Sequence, residues 1–373
     1  MTHLGDRKST ALNGICAYFT MFPLEFPYRV IDRWSSRRGW VIDPFCGRGT
    51  TNYAARLLGM PSIGVDSSPV AVSLAQAKLV NASVNDIVRT AADVLDDVPH
   101  PSSVPGGEFW ERAFHPDVLQ TVCRLREGLL SDCKSDGRRA LRAILLGALH
   151  GPRNKHGSSY LSNQSPRTFA PKPRYAVKFW RERNLAPPFV NVLQIIEQRA
   201  HRYYGQEQTR GRGVAVLGDS RECEVFRQFH EHARVRWVIT SPPYYGMRTY
   251  IPDQWLRSWF VGGTSEVDYS NIGQIAHSSP REFIAQLKQV WVNVGSICES
   301  DANLVVRFGG INDRKADPLE LLVCSLEHTG WTITGLTSAG TASLGRRQAR
   351  QILRPTGQAL QEYDVWATWK GHA

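Results

Sequence analysis

The sequence predicts an α/β protein built on a doubly wound parallel sheet, with a long, mainly helical insertion. Two observations carry this reading. Short apolar strands that end in an acid alternate with helical stretches early in the chain and again in its second half. Between the second and third strands the alternation stops for about 120 residues, and loops of that length do not stay structureless inside a compact domain. The expected division is therefore 1–88 plus 209–373 for the sheet, with 89–208 as an inserted basic subdomain.

The elements follow in order. "GWVIDPFCGRGTT" (Gly39–Thr51) reads as a strand ending at Asp43 and a glycine-rich turn, and "NYAARLLGM" as a helix closed by Gly59. "PSIGVDSSP" gives a second strand ending in Asp66, and "AVSLAQAKLVNA" a second helix. The chain from Arg89 to Gln208 is irregular and then helical. "GVAVLGDSRE" is a third strand with Asp219 at its end, and "CEVFRQFHEHA" a helix. The strand that starts at Val235 is apolar apart from Arg236, then stops at Ser241-Pro242-Pro243-Tyr244. Two prolines remove two backbone donors, so the ladder cannot continue there. A helix at Pro280–Glu299, a strand at "ANLVVRFGG", a helix at Pro318–Thr329 and strands at "GWTITGLTS" and "EYDVWATWK" complete the pattern.

Composition narrows the class. Hydrophobic residues at 42% and charged residues at 21% fit a globular protein. No apolar run reaches membrane-spanning length and the N-terminus lacks a signal-like apolar stretch, so a cytoplasmic protein is expected. Seven cysteines without a C-x-x-C pair read as reduced and unliganded, and no metal site is expected. The net charge is 45 − 34 = +11, and Arg112–Arg183 alone holds 15 basic and 5 acidic residues. That concentration favours a polyanion-binding surface over an ordinary solvated face.

The glycine turn does not match a phosphate-binding loop, because Arg48 and Thr50 occupy the wrong places, and Asn52 stands where a third dinucleotide-type glycine belongs. What remains is a tight turn whose Gly47 and Gly49 admit a ligand to the backbone. Asp66 suits ribose hydroxyls and Asp219 an adenine amine. With Asp43, three acids at three strand ends describe a nucleoside site without phosphates.

"DPFCGRGTT…GVDSSP…LGDSRE…TSPPYYG" resembles the S-adenosylmethionine-dependent amino-methyltransferases of DNA, over Tyr18–Asn81 and from Gly213 to about Gly310. The resemblance implies a Rossmann-like methyltransferase sheet. It implies cofactor contacts from Phe22, Pro23, Asp43, Pro44, Phe45, Gly47, Gly49, Thr50, Asp66, Ser67, Asp219 and Ser220, and a catalytic corner of Ser241, Pro242, Pro243 and Tyr244. Ser241 Oγ and the Pro242 carbonyl would accept from the target amine, and Tyr244 would stack on a base flipped out of the duplex. Serine at the first corner position favours cytosine N4 over adenine N6 in that family. Methylation at cytosine C5 fits poorly, since it needs a cysteine nucleophile and none here follows a proline. The implied partners are double-stranded DNA and, in restriction or phage-defence systems, a cognate endonuclease or defence proteins. An RNA amino-methyltransferase and a catalytically inactive DNA-binding module stay open as other classes.

The insertion is expected to read DNA. In Gly151–Asn184 basic residues alternate with aromatics, and Arg167, Lys172, Arg174, Lys178 and Arg181 suit phosphates. "SLGRRQARQILRP" (Ser343–Pro355) is a second basic stretch.

Overall fold

The computed structural model describes residues 10–18, 22–33, 39–152, 159–165, 172–206, 209, 211–246, 251–267, 275, 279–310, 316–341 and 361–371. Arg167 and the stretch Ser343–Pro355 lie outside the described residues.

Seven strands form one sheet: β1 (Trp40–Asp43), β2 (Ser62–Asp66), β3 (Gly213–Leu217), β4 (Val235–Thr240), β5 (Cys298–Gly309), β6 (Trp331–Thr341) and β7 (Gln361–Trp369). Their order is β3-β2-β1-β4-β5-β7-β6. The first five are parallel, and β7 runs antiparallel between β5 and β6. This is the Rossmann-like sheet the alternation predicts. The strand order reverses between β1 and β4, which opens a crevice at their carboxyl ends.

Both faces of the central strands are covered, as buried parallel strands require. On one face Val41, Trp237, Ile239 and Val305 join α1 (Glu25–Arg33), α2 (Thr50–Leu57) and α3 (Pro69–Ala77). On the other, Ile42, Val238, Leu304 and Val306 meet α12 (Pro280–Gly295) and α13 (Pro318–Leu326). Neighbouring strand residues thus feed opposite cores, the two-residue period of a strand.

The interruption is helical: α4 (Val84–Asp97), α5 (Glu108–Ala113), α6 (Pro116–Ser131), α7 (Asp136–Ala148), α8 (Pro173–Glu182) and α9 (Val192–Tyr204). Its first helix, α4, begins at a capping box formed by Ser83 and Asp86 and runs across position 88. Its helices share the first core with α1–α3, so they thicken one helical layer of the sheet. A helix not legible in the sequence, α11 (Ile251–Phe260), follows the S-P-P-Y corner and sends Trp255 and Trp259 into that same core. Conversely, the helix expected at "CEVFRQFHEHA" is only the short α10 (Glu224–Arg227).

Much of the positive charge of 112–183 has internal work. Arg124 donates to the Leu95 and Val98 carbonyls at the end of α4, and Arg138 to the Gly128 and Asp132 carbonyls at the end of α6. Cations at helix C-termini meet the negative end of the helix dipole and satisfy its unpaired carbonyls. The surplus of the window is therefore larger than the charge it offers to a partner.

One arginine closes the neck of the interruption. Arg56, 1% exposed, donates from Nη1 to the Lys78 and Val80 carbonyls (2.8 and 2.7 Å), from Nη2 to Asn81 Oδ1 (3.0 Å) and from Nε to the Thr209 carbonyl (2.7 Å). The outgoing and returning chain are thereby held by one guanidinium. Removing it would strand two buried carbonyl acceptors, those of Lys78 and Val80, each costing about 1–3 kcal/mol. We expect Arg56→Ala to lower stability by about 3 kcal/mol or more, read as a shift of the denaturant midpoint. An unshifted midpoint would mean that water replaces the clamp.

Candidate active site

Asp43 ends β1 and is fully buried. Its Oδ1 accepts from Thr240 Oγ1 (2.6 Å) and the Phe45 N–H (3.0 Å), and its Oδ2 from Thr51 Oγ1 (2.7 Å). Burial pushes the carboxyl up to about 6, against the pull of these donors. The resemblance implies that Asp43 contacts the cofactor; here its carboxyl is enclosed by its own chain, and its oxygens serve the loop, α2 and β4. The same holds for Thr50, 4% exposed in the first turn of α2, and for Ser220, 5% exposed, whose Oγ donates to the Pro44 carbonyl (2.7 Å). Pro44 is likewise buried. These residues are buried around the glycine turn.

The glycine turn earns its sequence. Gly49 has φ +73° at the start of α2, and a Cβ there would fall 2.7 Å from Ala75 Cα. Only glycine meets both conditions. The Gly47 N–H donates to Asp66 Oδ2 (2.9 Å), and the Ser68 N–H to Asp66 Oδ1 (2.8 Å). Burial raises the Asp66 carboxyl against these two donors. Asp66 is half-buried, and each oxygen keeps a lone pair for a further donor. Ser67 beside it is exposed.

Sequence reading missed Tyr18. Burial and the charge of Asp66 push its hydroxyl well above the ordinary tyrosine range, with Ser68 bonding to it in partial opposition. Its ring also approaches Gly47, so Tyr18 walls the same hollow. Two buried basic side chains are bound by the segment just before Tyr18. Arg48 Nη1 donates to the Cys16 carbonyl (3.0 Å), and Lys78 Nζ to Asn13 Oδ1 (2.9 Å). Burial pushes Arg48 down to about 10 and Lys78 well below its usual value. Phe22, half-buried, meets Phe26 edge-on at 5.4 Å, and Pro23 is exposed. Phe45, half-buried, meets Trp291 edge-on at 6.2 Å.

Asp219 follows β3 and is chelated by Arg221, whose Nε, Nη2 and backbone N–H all donate to it. Burial would raise Asp219, but the arginine outweighs it and holds the carboxyl below its ordinary value. The acid remains a partly exposed acceptor at the sheet's edge, already shared with a cation.

The S-P-P-Y corner leaves β4 beside Asp43, pinned there by Thr240. Ser241 is half-buried, Pro242 buried and Pro243 exposed. Tyr244 departs from expectation. Its ring is 5% exposed, edge-on to Phe308 at 5.3 Å, and its hydroxyl donates to Glu362 Oε1 at 2.6 Å. A phenol packs its ring and binds its polar tip, so no open aromatic face is presented.

On the insertion, Lys172, Arg174 and Lys178 are exposed at or on α8, beside the exposed Tyr175. Lys178 Nζ lies 3.7 Å from Glu182. Arg181 forms a forked pair with Glu108, which also binds Arg112, so the expectation of Arg181 as a phosphate ligand meets a cation already paired.

Residues 3–77 match a family described as DNA methylase, of the N6/N4 methyltransferase type. A type II methyltransferase, M.MthZI of Methanothermobacter thermautotrophicus, is 47% identical over 45 residues, which are 12% of this chain and 13% of that protein. The chain is similar to the solved rRNA methyltransferase aviRa of Streptomyces viridochromogenes (11% identity, 96% and 92% of the two chains, TM-score 0.36). It is also similar to an S-adenosylmethionine-dependent methyltransferase of Methanosarcina mazei (9%, 94% and 98%, TM-score 0.35). The matched segment supplies Tyr18, the glycine turn and Asp66. It is similar to the corresponding segment of that DNA methylase family. The half-buried acid with spare lone pairs and the backbone opened by glycine fit a nucleoside such as the S-adenosylmethionine that the sequence resemblance implies.

Asp43 gives the site a pH signature. Folding favours its protonated form, so its contribution is complete below about pH 4 and is lost as the pH rises through about 6. Asp43→Asn cannot ionise. The stability of the wild type relative to this variant should fall by up to about 3 kcal/mol from about pH 4 to 7, measured by denaturant unfolding of both proteins. A constant difference would mean that Asp43 ionises normally in the folded chain.

Proposed function

We propose that the chain is a site-specific DNA methyltransferase that methylates the exocyclic N4 amine of a cytosine extruded from the duplex. The observation that carries this reading is the S-P-P corner at the point where the strand order reverses, tied through Thr240 to the carboxylate that shapes the cofactor loop. The corner and the loop are thereby one rigid unit, which is what methyl transfer between two bound molecules demands.

On this reading the residues divide the work. Asp66, the Gly47 region, Phe45 and Tyr18 hold the cofactor, with Asp219 at the adenine end. Bound S-adenosylmethionine supplies the electrophilic methyl. The target amine resists methylation because its lone pair is delocalised into the ring. Ser241 Oγ and the Pro242 carbonyl accept its two hydrogens and turn the lone pair out of the ring plane. The amine so held would take the methyl group and release one proton to solvent. Pro242 and Pro243 keep the acceptors in place without reorganisation. A cytoplasmic enzyme, alone or beside a cognate endonuclease, is the expected setting.

Two measurements test this proposal. Incubation with cofactor and mixed-sequence duplex DNA, followed by nucleoside mass spectrometry, should yield N4-methylcytosine. N6-methyladenine would transfer the proposal to the other base, methylated nucleosides only in RNA would end it for DNA, and no product would point to a binding module. The second concerns α8. If Lys172, Arg174 and Lys178 bind phosphates, replacing all three with alanine should flatten the dependence of log affinity on log salt by about 0.9 for each phosphate no longer neutralised. An unchanged slope would place them outside the DNA path.

A further inference from the structure

The corner has two flanks. On one side Thr240 is bound to Asp43; on the other Tyr244 is bound to Glu362. Both acceptors are buried carboxylates, at 0% and 5% exposure. Glu362 comes from β7, more than a hundred residues beyond the corner. Because β7 runs antiparallel, its first residues lie at the same sheet edge where the parallel strands end. That topology delivers a carboxylate to the crevice from the far end of the fold.

The local packing is specific to this arrangement. Glu362 stands opposite Gly309 in the β5–β7 register. A Cβ on Gly309 would lie 2.9 Å from Glu362 Cγ and 3.2 Å from Tyr244 Cε2. The phenol and the carboxylate side chain therefore pack directly on bare backbone, with Phe308 edge-on to the phenol ring. The start of β7 is itself fixed two residues on, where Asp364 makes a forked pair with Arg307 at 2.7 and 2.7 Å. The Arg307 guanidinium in turn lies 3.9 Å from the Phe26 ring of α1.

We propose that Glu362 is a positioning residue of the S-P-P-Y corner: by binding the Tyr244 hydroxyl it fixes where Ser241 Oγ and the Pro242 carbonyl point. The inference rests on the function proposed above, in which those two atoms hold the target amine. Glu362 does not touch the substrate. It acts through Tyr244, as Asp43 acts through Thr240.

The test uses Glu362→Ala, Glu362→Gln, Tyr244→Phe and the Glu362→Ala/Tyr244→Phe double variant of the full chain. For Glu362→Ala and Tyr244→Phe we expect kcat for methyl transfer to fall about tenfold or more, since small misplacements of reacting groups are costly, with cofactor affinity by calorimetry unchanged. The double variant should lose no more than either single one, because both remove the same bond. Glu362→Gln keeps an acceptor oxygen and should restore most of the rate. Hydrogen exchange supplies a readout independent of activity. The peptide spanning Thr240–Gly246 should exchange faster in both single variants, while the glycine turn is unaffected. Should Glu362→Ala fail to fold, Tyr244→Phe and Glu362→Gln still decide. Wild-type kcat in Tyr244→Phe, additive losses, or unchanged exchange at the corner would overturn the assignment. A wild-type protein that transfers no methyl would refute the proposed function, and the exchange data would still decide whether Glu362 holds the corner.

Discussion

A single buried carboxylate organises the carboxyl edge of this sheet. Asp43 collects the Phe45 N–H, the Thr51 hydroxyl and the Thr240 hydroxyl. Those donors belong to the glycine turn, to α2 and to the end of β4. An acid without donors could not survive in that position, because burying an uncompensated charge is far more costly than any packing gain. The need to satisfy it therefore dictates the local backbone: α2 must begin where its second residue can reach back, and β4 must end in a hydroxyl. The cofactor hollow and the corner inherit their relative placement from this requirement.

The same logic explains what the sequence revealed and what it hid. The strand-end acids, the glycine turn and the proline corner are local signals, legible because each is confined to a dozen residues. Their roles were less legible. Asp43 and Asp66 look alike in the sequence, yet one is enclosed and the other half-open. A strand-end acid reads the same whether it faces a ligand or the chain itself. Tyr18 and Glu362 were invisible because their partners, Asp66 and Tyr244, lie far away in the chain. α11 was hidden for a different reason. Its apolar residues face the helices of the interruption, and no strand pattern leads into it. Charge counting overstated the basic surface, since composition cannot tell that Arg124, Arg138 and Arg181 are already occupied.

The interruption also changes meaning once seen in three dimensions. Its helices add to the layer formed by α1–α3, and α11 locks the segment after the corner into them through Trp255 and Trp259. Arg126 reinforces the contact, donating to the Trp259 carbonyl while its guanidinium lies 5.0 Å from that ring. Ala176, Phe179 and Trp180 of α8 belong to this same packed layer, so α8 is seated on the core that α1–α3 share with the sheet.

The bond between Thr240 and Asp43 joins residues 197 positions apart. During synthesis the acid emerges long before its distant donor, and the whole helical interruption is made in between. Until β4 arrives, the first two strands carry an apolar flank and a carboxylate with an unfilled acceptor site. Closing so long a loop carries an entropic cost, and the fold makes a second contact across the same gap. The Arg56 clamp is that contact: by binding Asn81 and Thr209 it holds the two ends of the interruption in one place, beside the strands that β3 and β4 join.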